Sequence, residues 1–147
     1  MPEDKDLVAY CGAYCGDCHG YKGKIMDLAR DLRKELRQAN FAREAKLMSG
    51  VPYFAALKDY PQCYEVLGTL VRLRCKRTCR GNGGPPGCKV RDCCRAKGIE
   101  GCWLCSEFET CEKLDSLKKP YDEDVHLKNL RILSKTGVDS FISGKRY

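Results

Sequence analysis

Residues 75–111 read CKRTCRGNGGPPGCKVRDCCRAKGIEGCWLCSEFETC and hold eight of the 12 cysteines of a 147-residue chain. Apart from cysteine, this stretch has too few apolar side chains for a conventional core. Its segment GNGGPP, residues 81–86, is incompatible with regular structure, because glycine spreads the backbone over many conformations and proline lacks the N–H that a helix needs. Something other than hydrophobic burial must hold it. A metal ion can: a structural zinc site contributes on the order of 10 kcal/mol of apparent binding free energy, and that energy becomes folding energy. The stretch therefore decides the fold class expected here, which is mainly α: a small helical domain with a cysteine-rich, metal-stapled irregular centre.

The spacings within it carry the detail. Cys102 and Cys105 form a C-x-x-C knuckle, in which two thiolates three positions apart on a tight turn can share one tetrahedral ion. Ser106 and Glu109 follow as a capping box, predicting a helix immediately after the knuckle with Phe108, Leu114 and Leu117 on its apolar face. Cys111 would then lie about two turns in, directed back at the knuckle. Residues 89–97 predict a second short helix ended by Gly98. Cys93 and Cys94 are neighbours on it and point about 100° apart, so only one is expected to bind a given ion. Cys93 is taken as the ligand and Cys94 as packed or spare. Cys102, Cys105 and Cys111, with Cys88 or Cys93, make one closed four-thiolate site.

Further out, residues 8–24 read VAYCGAYCGDCHGYKGK and place Cys11, Cys15 and Cys18 within eight positions. These three need a fourth ligand from far along the chain, Cys79 or Cys75, and closing so long a loop removes much chain entropy. His19 is the local alternative. The spacing C-x-x-x-C-x-x-C also matches the way radical enzymes that use S-adenosylmethionine hold a four-iron cluster with one iron open. Those enzymes need a barrel of alternating strands and helices and 200 or more residues, and this chain has neither. An iron–sulfur cluster without radical chemistry stays open as the alternative cofactor, because thiolates serve both metals.

The remaining segments read as helical packing. Residues 21–48 predict one long helix with Ile25, Ala29, Leu32, Leu36 and Ala39 as its apolar stripe. Gly50 and Pro52 end it. Residues 61–73 predict another, with Val66, Leu67, Leu70 and Leu73 inward and Cys63 as a core residue. The C-terminal stretch predicts a helix capped by Asp122 or Asp124, with Val125, Leu130 and Leu133 inward and His126 as an ordinary core or surface histidine. Gly137 stops it, and Val138, Phe141 and Ile142 make a last apolar turn. The domain reading is one domain over 1–147, with 1–20 and 75–111 as metal-ligand segments and 21–74 and 112–147 as packing.

No run of about 18 apolar residues is present, so no membrane span is expected. The start, MPEDKDLVAYCG, lacks the basic region and apolar core of a secretory signal. A cytoplasmic location is expected, where thiols stay reduced and clustered cysteines are read first as metal ligands and second as redox groups. The formal charge of +7 and the run LVRLRCKRTCR raise nucleic-acid binding as an alternative. Each zinc on four thiolates adds −2, so two such sites bring the total to about +3 (7 − 4), and the arginines then offset local thiolate charge. No H-E-x-x-H, Cys–His–Asp set or paired-carboxylate motif stands out, and with two histidines the chain is poorly equipped for catalytic zinc.

CGAYCGDCHGY near the start and CRGNGGPPGCKVRDCCRAKGIEGCWLCSEFETCEKL further on resemble a cysteine-rich bacterial and archaeal family of unknown function. Its members open with CGxxCGxC and close with a GCKxRxC, KG, GCxxC, C block. The resemblance implies a metal-binding protein, zinc first, and brings no reaction with it. Carried over by position, it points to Cys11, Cys15, Cys18, Cys79, Cys88, Cys93, Cys102, Cys105 and Cys111 as ligands. Here CKRTC stands where the family shows CxGC, one residue longer, so no role is carried over to Cys75. The expected function is that of a metal-binding adaptor for an unidentified protein partner rather than an enzyme. The alternatives are an iron–sulfur or thiol-redox sensor and a nucleic-acid-binding zinc protein.

Overall fold

The computed structural model describes residues 3–117 and 124–147. Among them every regular element is helical: α1 (His19–Lys22), α2 (Lys24–Gln38), α3 (Phe41–Met48), α4 (Tyr60–Arg72), α5 (Lys89–Lys97), α6 (Glu112–Asp115) and α7 (Val125–Ser143), with short 3-10 turns between them. The mainly α class follows directly. No described helix is long and apolar enough to cross a membrane. The chain divides into two compact units, residues 22–75 and residues 1–21 with 76–147.

In residues 22–75, α2 packs on α4, and α3 lies against both. The single long helix expected over residues 21–48 is broken at Asn40, whose left-handed backbone (φ 50°) ends α2 and starts α3. The buried face of α2 is also turned from the expected one. Met26 and Ala29 are buried, while Ile25 and Leu32 are 43 % and 48 % exposed. Arg33 sets this orientation by laying its guanidinium 4.4 Å from the Tyr64 ring of α4, and it occupies the space a side chain at Gly68 would need. On α4 the expected inward residues divide: Leu67 and Leu70 are half-buried, while Val66 and Leu73 are exposed. Cys63 is exposed rather than in a core.

The other unit is built around α7. Leu127, Leu130, Leu133 and Phe141 from that helix bury against Val8, Val90, Cys94, Cys102, Trp103 and Leu114. Each large side chain fully removed from water contributes about 2 kcal/mol. Gly137 (φ 80°, ψ 173°) interrupts α7, and the following turn buries Phe141 completely, both as expected. Asp122 lies outside the described residues; Asp124 precedes α7 without a side-chain cap. Gly98 ends α5 as expected. Its N–H donates to the Arg95 carbonyl and that of Ile99 to the Cys94 carbonyl, so the last turn is satisfied by backbone alone.

The helix predicted directly after the knuckle forms later. Residues 108–110 make a 3-10 turn, Cys111 is extended, and α6 begins at Glu112. Glu109 does not cap a helix, because its carboxylate takes two hydrogen bonds, of 2.8 and 2.6 Å, from Arg131 of α7. That bidentate pair outcompetes a local cap.

Candidate metal centre

Three devices hold the first cysteine loop against α7. Gly12 adopts φ 83°, and a Cβ there would meet the Leu130 side chain at 3.2 Å, so a residue without a side chain is needed. Buried Asn129 donates to the Gly12 carbonyl (3.0 Å) and the Tyr147 carbonyl (3.0 Å), and accepts from the Tyr147 N–H (2.9 Å). Arg146 stacks on Tyr14 at 4.3 Å and donates to Asp17 at 2.8 Å. His126 Nδ1 lies 3.2 Å from the Cys11 carbonyl oxygen, and burial lowers its pKa. This ring meets the backbone of the cysteine loop rather than its sulfur at this contact.

The loop places Cys15 beside Cys79, 64 positions along the chain, whose backbone N–H donates to the Cys15 sulfur at 3.4 Å. The thiols also hydrogen-bond, and this bond, with help from Arg80, holds Cys15 down at a pKa of about 6. Cys11 lies within electrostatic reach of Cys88 and Cys15, and burial pushes its thiol up to about 11. Cys15 thus meets Cys79, while Cys11 is within electrostatic reach of Cys88 and of Cys102. Cys18 and His19, by contrast, are exposed. Cys75 belongs to the other compact unit.

The knuckle is a 3-10 turn, Cys102–Leu104, and the Cys102 N–H donates to the Tyr10 carbonyl at 2.8 Å. It opens onto a cavity of about 290 Å³ lined by Cys93, Cys94, Cys102, Cys105 and Cys111, with Val90, Ile99 and Phe108 as apolar wall. Cys94 Sγ stands 3.6 Å from Cys102 Sγ. Their hydrogen bond holds the Cys94 thiol below its ordinary range and drives the Cys102 thiol well above it. Two lysines reach the outer thiols: Lys97 Nζ is 3.3 Å from Cys105 Sγ and Lys113 Nζ is 3.1 Å from Cys93 Sγ. Both ammoniums are stabilised in charged form, chiefly by those thiol contacts.

Two features escaped the sequence reading. Cys94, treated as packed or spare, lines the same cavity as Cys93. Lys97 and Lys113 were given no role from sequence, although Lys97 lies four residues after Cys93 on α5, on the same face. Arg80, one of the arginines expected to offset thiolate charge, stacks on Tyr10 at 4.6 Å, donates to the carbonyls of Val8 (2.6 Å) and Glu100 (2.5 Å), and its charge acts on both Cys15 and Cys94.

The donor set suits a soft or borderline ion, since thiolates are the preferred ligands of structural zinc and of iron–sulfur clusters. Among the described residues, no three His, Cys, Asp or Glu side chains are gathered closely enough to hold an ion between them. Five thiols share one cavity wall without converging on one point. A change of χ1 between staggered wells redirects a cysteine sulfur without moving the backbone.

The chain belongs to the DUF3795 family of proteins of unknown function, whose model matches residues 7–116, or 110 of the 147. The match spans the N-terminal cysteines, the glycine-rich loop, α5 and the knuckle. No curated protein and no solved structure matches the chain.

Proposed function

We propose that this member of a family of unknown function is a zinc-binding protein with two structural four-thiolate sites, acting as a binding or adaptor module rather than as an enzyme. One observation carries the reading: five cysteines from three chain segments line a single cavity. Of these, Cys93, Cys102, Cys105 and Cys111 would hold the ion. Cys11, Cys15, Cys79 and Cys88 would hold the second, which joins the N-terminal loop to the start of α5. When bound, zinc would supply crosslinking free energy to a segment with little apolar core. The surrounding residues do the rest. Lys97 and Lys113 offset thiolate charge at Cys105 and Cys93, and Trp103, only 6 % exposed, anchors the knuckle turn in the apolar core.

Closed four-thiolate sites leave no open coordination position, which supports a structural role over a catalytic one. Three of the four arginines of the cysteine-rich stretch, Arg80, Arg91 and Arg95, are engaged internally. Arg91 donates to the carbonyls of Cys79 and Gly83, and Arg95 to that of Arg80, which favours scaffold support over phosphate binding. An iron–sulfur cluster is the second reading, because N–H donors such as Lys97 and Lys113 at cluster thiolates tune such centres.

Cobalt substitution tests the assignment. The metal-free reduced protein titrated with Co²⁺ should develop the visible bands of tetrahedral thiolate coordination. Those bands should weaken by about half in Cys105→Ser, which disables one of two sites. Cobalt spectra without thiolate charge-transfer bands, or unchanged in Cys105→Ser, would refute the cavity assignment.

A further inference from the structure

The knuckle cavity contains one thiol more than a tetrahedral ion uses. The fifth, Cys94, is 2 % exposed and stands 3.6 Å from the sulfur of Cys102. The two residues come from different elements, α5 and the knuckle turn, so a bond between them would tie those elements together. The cavity is large enough to admit a molecule the size of hydrogen peroxide. We infer that Cys94 is the peroxide-reactive thiol, and Cys102 its resolving partner, in a peroxide-responsive switch: oxidation joins the two sulfurs, withdraws Cys102 from the ion and releases the metal. This inference rests on the metal reading of the same cavity.

The step balances with hydrogen peroxide as the oxidant. The Cys94 sulfur attacks one peroxide oxygen, the O–O bond breaks, and Cys94 becomes a sulfenic acid while the second oxygen leaves as hydroxide. The Cys102 thiolate then attacks the Cys94 sulfur; the S–S bond forms, the S–O bond breaks, and that oxygen also leaves as hydroxide. The two sulfurs lose two electrons in all, the peroxide is reduced, and protons from the Cys94 thiol and from solvent convert both hydroxides to water. Three thiolates, Cys93, Cys105 and Cys111, remain for the ion. A structural zinc site needs four, so the affinity collapses. A thiol reductant reverses the bond by exchange and restores the site.

Cys94 is the thiol beside Cys102 that the ion does not need, and this distinguishes it from Cys93, whose sulfur faces the ammonium of Lys113. Cys18 and Cys63 are exposed and have no such partner role, so they serve as internal controls for non-specific oxidation.

The test uses the full chain loaded with zinc. Zinc content is measured first, in wild type and in Cys94→Ser; hydrogen peroxide is then added and released zinc is followed with a chromogenic chelator. Disulfides are mapped by alkylation and mass spectrometry. The expected result is equal zinc content at the start, a Cys94–Cys102 disulfide in the wild type, and release at least tenfold slower in Cys94→Ser. Cys94→Ala repeats the comparison, so that a hydroxyl buried in the core is not mistaken for the loss of a peroxide-reactive thiol. Equal release rates in wild type and both variants, or a disulfide map without the Cys94–Cys102 pair, would overturn the switch while leaving the metal site standing. A wild-type chain that takes up no zinc would overturn both.

Discussion

The two compact units solve the folding problem by different means. Residues 22–75 use local helix formation and a thin interface. Met26, Ala29 and Ala45 are its buried apolar residues, α4 buries none, and aromatic contacts among Phe41, Tyr60 and Tyr64 (centroids 5.5 and 6.1 Å apart) supplement them. Residues 1–21 with 76–147 bury a cluster of ten side chains but need long-range ties, including Cys15 to Cys79, Tyr10 to Cys102, Asn129 to Gly12 and Arg91 to Cys79. Ten of the 12 cysteines lie in this second unit, and the two in the helical unit, Cys63 and Cys75, are outside the proposed sites. Thiols are concentrated in the unit with the more irregular backbone, although that unit also has the larger buried cluster.

That contrast can be broken experimentally. The largest effect is expected from Cys102→Ser, which removes a proposed ligand and leaves Cys94 facing a hydroxyl. It should abolish metal binding at the knuckle and destabilise its unit by on the order of 4 kcal/mol or more. Hydrogen exchange should show protection lost in α5 and α7 and kept in α2 and α4; equal loss in both units would erase the distinction drawn between them. Next comes Leu130→Ala. Leu130 is fully buried against Gly12, and its truncation should cost about 2–5 kcal/mol in urea unfolding, again confined to the cysteine-rich unit. Arg91→Met should follow at about 1–3 kcal/mol, because the 8 %-exposed guanidinium satisfies two loop carbonyls that would lose their donor. Stability unchanged in that variant would mean that the loop is held by other contacts.

A smaller effect is a pH dependence in the metal-free, reduced protein. Cys15 titrates near 6 when folded against 9.0 ordinarily, so between these values the unfolded chain binds the extra proton and stability falls as pH drops from 9 toward 6. Cys11 is shifted up to about 11, so its contribution is present below pH 9 and is lost as pH rises toward 11. Urea midpoints should therefore peak near pH 9, and the low-pH arm should flatten in Cys15→Ala. A flat wild-type profile from pH 6 to 9 would refute the Cys15–Cys79 interaction. The smallest effect belongs to Cys63→Ser in the helical unit, expected within about 0.5 kcal/mol of wild type and with full metal content.

Features governed by nearest neighbours were legible in the sequence. The end of α5 at Gly98, the break at Gly137, the extent of α4 and the C-x-x-C turn all depend on backbone bonds a few residues apart. The sequence offered Cys79 or Cys75 as a distant partner for the N-terminal cysteines, and of these Cys79 lies beside Cys15. What was not legible depended on a third element. Ser106 and Glu109 satisfy every local criterion for a capping box, but Arg131 of α7 takes the glutamate. The stripe on α2 is rotated because Arg33 meets Tyr64 and Gly68 of α4. The roles of Cys93 and Cys94 could not be separated by helical geometry alone, since both reach one cavity from adjacent positions.

The most direct test of the central claim is elemental analysis with an absorption spectrum on protein purified without oxygen and without added metal. Two four-thiolate sites predict about two zinc ions per chain and no visible colour. A brown protein with iron and acid-labile sulfide, or a metal-free chain with all 12 thiols titratable in the native state, would contradict it.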